Sequence, residues 1–171
     1  VPILRAMTQS IAHRGPDGEG IVVLPREGGS ATCVGLGHRR LAIVDLTERA
    51  SQPMTNEDEP LWIILNGEIY NFQELRRGLE RRGHPFRSSS DTEVILHLYE
   101  EQRERCVEEL DGMFAFALWD APRQRLMLAR DRVGKKPLFY FQDESTFLFG
   151  SEVKALLQHP AVGRRLSLEA L

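Results

Sequence analysis

Cysteine is scarce in this sequence: Cys33 and Cys106 are the only two among 171 residues. They lie far apart and without metal-ligand spacing, which argues against a disulfide framework and for a reducing compartment with buried or idle thiols. Long apolar runs are missing too; none approaches the roughly 18 residues of a membrane span, and no basic-then-apolar leader is present. A membrane is therefore excluded as a partner, and a cytoplasmic location is expected. Charge of one sign is not in surplus, since 22 Lys and Arg face 25 Asp and Glu for a net charge of -3. That balance gives no general field for nucleic acid. Internal repeats and low-complexity segments are absent, and no loop has the spacing of a nucleotide site.

What is present suffices for one domain. Hydrophobic residues make up 42% of the chain, and a single globular domain over residues 1–171 fits that length. Leu4, Met7 and Ile11 recur at helical spacing, so the chain opens in an amphipathic helix. His13-Arg14-Gly15-Pro16-Asp17-Gly18 reads as a turn. Strands are predicted near 20–24 and 32–37, joined as a hairpin across 25–30. Five apolar residues at 61–65 suit a strand buried on both faces. Asn66-Gly67 then breaks the run, either as a plain hairpin turn or as an oxyanion hole, because an Asn amide donates and a Gly lets a ligand reach the backbone N–H.

Asn71 with Glu74, and Ser90 with Glu93, read as capping boxes. The helices they start turn Phe72, Leu75 and Leu79, then Val94, Ile95, Leu98 and Tyr99, inward, and Gly83 stops the first. Residues 113–119 form another unbroken apolar strand, followed by strands at 126–129, 138–141 and 146–150 and a helix over 151–158 that Pro160 closes. A further element starts at 167. Strand pairs at both ends with helices between them and at the termini give an α+β fold of antiparallel sheets covered by helices.

Taken singly, the polar blocks have plain structural explanations: Arg39 and Arg40 as solvated charges, Asp91 as a first-turn acid answering the helix dipole. Taken together and in order, His13-Arg14-Gly15-Pro16-Asp17, Gly37-His38-Arg39-Arg40-Leu41, Asn66-Gly67-Glu68-Ile69-Tyr70-Asn71, Ser90-Asp91-Thr92-Glu93 and the basic stretch from Arg130 to Pro137 resemble the class II, N-terminal-nucleophile glutamine amidotransferase domain of asparagine synthetases. The resemblance implies a four-layer sandwich of two antiparallel sheets between helix layers. It also implies hydrolysis of glutamine to glutamate and ammonia, for ATP-dependent amidation of aspartate in a C-terminal synthetase domain of the parent chain.

By the same resemblance Arg40 grips the glutamine α-carboxylate with its bidentate fork. Leu41, Ile43 and Val44 frame the pocket, Glu68 and Asp91 hold the α-ammonium, and Asn66 with Gly67 supplies the oxyanion hole. Arg14 is a supporting residue, Gln52-Pro53-Met54 a loop near the entrance, and 130–137 a connector without a catalytic role. The family's nucleophile is an N-terminal cysteine whose own amine serves as base; it is not in this sequence, and the strand that carries it is expected upstream of Val1. Cys33 and Cys106 each have a peptide nitrogen and so cannot replace it. No metal or cofactor is expected in this domain, with ATP and magnesium confined to the synthetase domain. The expected partners are glutamine and that synthetase domain, and a homodimer is also open. The alternatives are an inactive fragment or degenerate module that binds glutamine or packs on a synthetase partner, and a related amidotransferase with a different carboxylate acceptor.

Overall fold

Between residues 61 and 130 the chain lays down the sheet on which the rest is assembled. The computed structural model describes residues 1–25, 33–41, 47–56 and 61–164. β1 (Gly18–Pro25) and β2 (Cys33–Arg40) form the expected antiparallel hairpin, paired from Gly18 with Arg40 to Pro25 with Cys33. β3 (Met54–Thr55), β4 (Leu61–Ile69), β5 (Gly112–Asp120) and β6 (Arg125–Arg130) follow one another in a four-stranded antiparallel sheet. β7 (Phe139–Gln142) and β8 (Phe147–Gly150) make a second hairpin. The helices are α1 (Pro2–Ser10), α2 (Phe72–Arg81), α3 (Asp91–Gln102) and α4 (Val153–Leu156), the last much shorter than expected. The hairpin loop at 26–32 and the element expected from 167 lie outside the described residues.

β4 departs from the expectation in two ways. Leu61, Ile63 and Leu65 are buried, but Trp62 and Ile64 on the opposite face are only partly so. Burial on both faces holds instead for β5, from Phe114 to Asp120. Nor do Asn66 and Gly67 break the strand, which runs on to Ile69 with Asn66 opposite Ala115 and Gly67 opposite Phe114. Gly67 is there for close approach: a Cβ would lie 2.1 Å from the Met113 carbonyl oxygen, and its φ is +156°. A long-range partner strand thus overrides a local turn signal.

The inward face of β4 packs with α2 and α3 into one core of Leu61, Ile63, Leu79, Ile95, Leu98, Tyr99, Phe116 and Leu118. Each such side chain contributes about 1.5–3 kcal/mol on burial. α3 is buried from Asp91 to Tyr99, polar residues included, so its N-terminus must be satisfied internally. Ser90 Oγ accepts from Thr92 N–H at 3.2 Å. Glu93 does not close the box on Ser90; it accepts from Arg87 N–H, Ser88 N–H and Ser88 Oγ at 2.7, 2.8 and 2.6 Å. The box expected at Asn71 is also replaced. Asn71 holds the N-cap position of α2, yet its Nδ2 donates to the Glu109 carbonyl at 2.9 Å and its Oδ1 accepts from Asp111 N–H at 3.1 Å. That side chain ties α2 to the approach of β5.

On the other side α1 packs on β2, α4 packs on β7 and β8, and α1 and α4 meet. Gly37 permits the first contact, since a Cβ there would lie 2.4 Å from Thr8 Cγ2. The order is helices, four-stranded sheet, two smaller ladders, helices. Between the sheet layers lies a cavity of about 1230 Å³.

Candidate functional site

The open edge of β4 organises this cavity. Tyr70 N–H donates to the Asp111 carbonyl, so in the antiparallel alternation the even-numbered residues of β4 bond to β5 and the odd-numbered ones face away from it. β3 covers that outer edge only at Trp62 and Ile63. Beyond it side chains take over. Leu65 N–H donates to Gln52 Oε1 at 2.6 Å, the Leu65 carbonyl lies 3.2 Å from His38 Nε2, and Ile69 N–H donates to Asp91 Oδ2 at 2.9 Å. The Gly67 N–H faces the same edge, between two that are capped.

Asn66, next to Gly67, lines the cavity, and its Nδ2 is buried without a hydrogen-bond partner among the described residues. Trp119 Nε1 and His38 Nδ1, on residues lining the same cavity, share that condition. Leu65's carbonyl can only accept, so His38 Nε2 carries the proton and Nδ1 is an acceptor. Burial pulls the His38 pKa down to about 4, against the bond to Leu65 and with help from the Arg40 charge, so the ring is neutral near pH 7. His38, within one of the polar blocks, and Gln52, expected in a loop near the entrance, are site residues whose hydrogen-bonding roles the sequence alone does not assign. The only local signal was their position inside or beside a polar block.

Arg40 ends β2 at the cavity wall, where its Nη2 donates to the Thr47 carbonyl at 2.9 Å. The block at 13–17 braces it: Asp17 N–H donates to the Arg40 carbonyl at 3.0 Å and Arg39 Nε to the Gly15 carbonyl at 3.2 Å. Arg14 lines the cavity and pairs with Glu152 at 3.4 Å. Leu41 is an exposed lining residue. Asp91 is buried and lines the cavity, and burial, with the Glu68 charge adding to it, raises its pKa against the backbone N–H groups it accepts. Glu68 itself does not line the cavity; it sits beside Asp91 as a second negative charge. Arg40, Leu41, Asn66, Gly67 and Asp91 are thus brought together, and Ile43 and Val44 lie outside the described residues.

The two thiols differ. Cys106 is buried, and burial pushes it up to about 12. Cys33 is exposed and starts β2, about 23 Å of strand away from Arg40. The connector at 130–137 is a scaffold: Asp131 accepts from Phe114, Lys135 and Lys136 N–H at 3.3, 2.8 and 3.0 Å.

A cation, a carboxylate, a buried amide donor and a neutral imidazole acceptor opening on one cavity suit a zwitterion that also carries a polar carbonyl. The α+β layering is that of the N-terminal-nucleophile amidotransferases: a glutamine phosphoribosylpyrophosphate amidotransferase from B. subtilis superimposes with a TM-score of 0.74 at 24% identity, over 91% of this chain and 40% of that one. The glutamine amidotransferase domain family matches residues 1–171, and the chain belongs to it. Among its relatives, a Bacillus subtilis glutamine-hydrolysing asparagine synthetase is 47% identical over 96% of this chain and 26% of its own length. A putative asparagine synthetase of Methanocaldococcus jannaschii is 52% identical over 71% and 21%, and one from Arabidopsis thaliana 44% over 88% and 24%. The chain is thus a glutamine amidotransferase domain homologous to part of asparagine synthetases, spanning about a quarter of the length of these curated relatives.

Proposed function

We propose that this domain is the glutaminase part of an asparagine-forming enzyme, releasing ammonia from glutamine for a synthetase domain of the same parent chain. The observation that carries the reading is the pair at the open edge of β4: the buried Asn66 Nδ2, without a partner among the described residues, and the adjacent outward Gly67 N–H. The attacking thiolate comes from an N-terminal cysteine outside these 171 residues, since neither Cys33 nor Cys106 has a free amine, Cys106 is buried, and Cys33 stands at the far end of β2 from Arg40. It adds to the glutamine carboxamide carbon, and the negative oxygen is taken by Asn66 Nδ2 and Gly67 N–H. The cysteine's amine, which took the thiol proton, returns it to the nitrogen; ammonia leaves, a thioester remains, and water cleaves it to glutamate. Arg40 binds the substrate α-carboxylate and Asp91, with Glu68 behind it, the α-ammonium. ATP and magnesium serve the synthetase domain only. In the parent enzyme, Asn66→Ala lowers glutamine-dependent kcat by about 10²–10³ while ammonia-dependent synthesis is retained. Equal loss of both activities, or of neither, removes Asn66 from the oxyanion site.

A further inference from the structure

Across the four-stranded sheet from the cavity, His84, His97 and Glu100 each have a ligand atom within 4.8 Å of the others. We propose that these three bind a divalent transition-metal ion of the zinc class, pinning the end of α2 to α3. Two imidazoles and a carboxylate are donors that zinc takes.

The placement is built by the fold. Gly83, at φ +99°, ends α2; its N–H donates to the Glu80 carbonyl and His84 N–H to the Leu79 carbonyl, so the reversal that stops the helix also fixes the His84 backbone. His97 and Glu100 stand three residues apart on α3, on neighbouring turns of one face. The His97 and His84 Nδ1 atoms lie 2.9 and 3.1 Å from the same oxygen, Glu100 Oε2. One carboxylate oxygen facing two imidazole nitrogens is an arrangement that a single cation at their centre completes. Ligands about 2.1 Å from zinc sit about 3.4 Å apart in a tetrahedron, so the two nitrogen–oxygen separations need open by only about half an ångström or less.

Two of the three donors have a hydrogen-bonded partner on their far side, as orienting groups around metal ligands do, and the third faces a carboxylate. His84 Nε2 lies 2.9 Å from Glu101 Oε1, Glu100 Oε1 accepts from Asn56 Nδ2 at 2.5 Å, and His97 Nε2 faces Glu93 Oε1 at 4.0 Å. His97 is buried, its Nε2 has no hydrogen bond among the described residues, and Phe86 packs edge-on against its ring at 4.6 Å. His84 and Glu100 retain 18% and 23% side-chain exposure, leaving an entry path and room for a water as fourth ligand. No metal is expected here from the sequence, because the donors come together only when α2 folds back on α3.

The test titrates chelator-treated protein with Zn²⁺, followed by calorimetry, and with Co²⁺, whose visible absorption reports tetrahedral nitrogen and oxygen ligation. One equivalent binds, and at a hundredfold excess over Kd the melting temperature rises by about 5–10 °C. His84→Gln and Glu100→Gln each weaken binding at least about a hundredfold, whereas Cys33→Ser and His159→Gln leave it unchanged. Circular dichroism establishes that the variants are folded, and Glu100→Gln decides if His84→Gln is not. No binding at micromolar Zn²⁺, or equal binding by wild type and both site variants, overturns the proposal.

Discussion

Asp91 Oδ2 accepts the main-chain N–H of Ile69 at 2.9 Å, so an acid at the first turn of α3 caps the edge of β4 rather than merely answering a helix dipole. Its raised pKa means that the folded protein holds this proton to higher pH than the unfolded chain does. The cost to stability grows as pH rises from the ordinary carboxyl value through the raised one, and is constant above it.

Asp91→Asn therefore leaves the melting temperature near pH 7 equal to or above that of wild type, and the difference shrinks as the pH falls towards 4. The same variant of the parent enzyme raises the glutamine KM more than tenfold, a loss of roughly 1.5–3 kcal/mol, because the substrate ammonium loses its anion. Scanning calorimetry at several pH values together with glutamine kinetics checks both halves. A large stability loss with normal KM would make Asp91 structural only.

Arg40→Ala in the parent enzyme raises the glutamine KM strongly with kcat little changed, as expected for a clamp used equally in ground and transition states. Ammonia-dependent activity persists. Unchanged glutamine kinetics take Arg40 out of the site.

His38 stays neutral until about pH 4 in the folded state, while the unfolded ring takes its proton near the usual 6.5. The contribution of a depressed histidine is complete above about 6.5 and is lost as pH falls towards 4. Proton NMR of the His38 ring at successive pH values shows no titration down to pH 5, and His38→Gln flattens the fall in stability over that window. A midpoint near 6.5 for this ring contradicts its burial at Leu65.

Gly67→Ala forces a methyl against the Met113 carbonyl and the Phe114 Cα. The β4–β5 ladder has to shift, at a cost of about 1–3 kcal/mol in urea unfolding, and the glutamine site deforms with it. Full stability and activity in this variant would show that the backbones can part freely.

Periodicity was enough to read α1, the β1–β2 hairpin, α2, α3 and the apolar β5, because each is set by its own side-chain pattern. The errors share one cause. Asn66-Gly67 is a turn by local rules and a strand because Phe114 lies opposite; Asn71 is a capping residue by local rules, yet Glu109 and Asp111 come within reach of its side chain. His38 reads as part of a basic, solvated block, and only the distant Leu65 carbonyl makes it a buried neutral ring. The candidate site residues came as contiguous blocks, whereas the bond of Gln52 to Leu65 and the cluster at His84, His97 and Glu100 depend on segments meeting in space.

The alternation of β4 makes it a partition between two environments with separate rules. Leu61, Ile63 and Leu65 are answerable to a packed interior, where a methylene more or less is felt. Ile64 and Asn66, only partly buried, border the cavity instead. Substituting Ile64 reshapes the cavity without touching the hydrophobic cluster, whereas a single-residue insertion in β4 would exchange the two sides wholesale. The strand is therefore more tolerant of substitution at Ile64 than of any change in length.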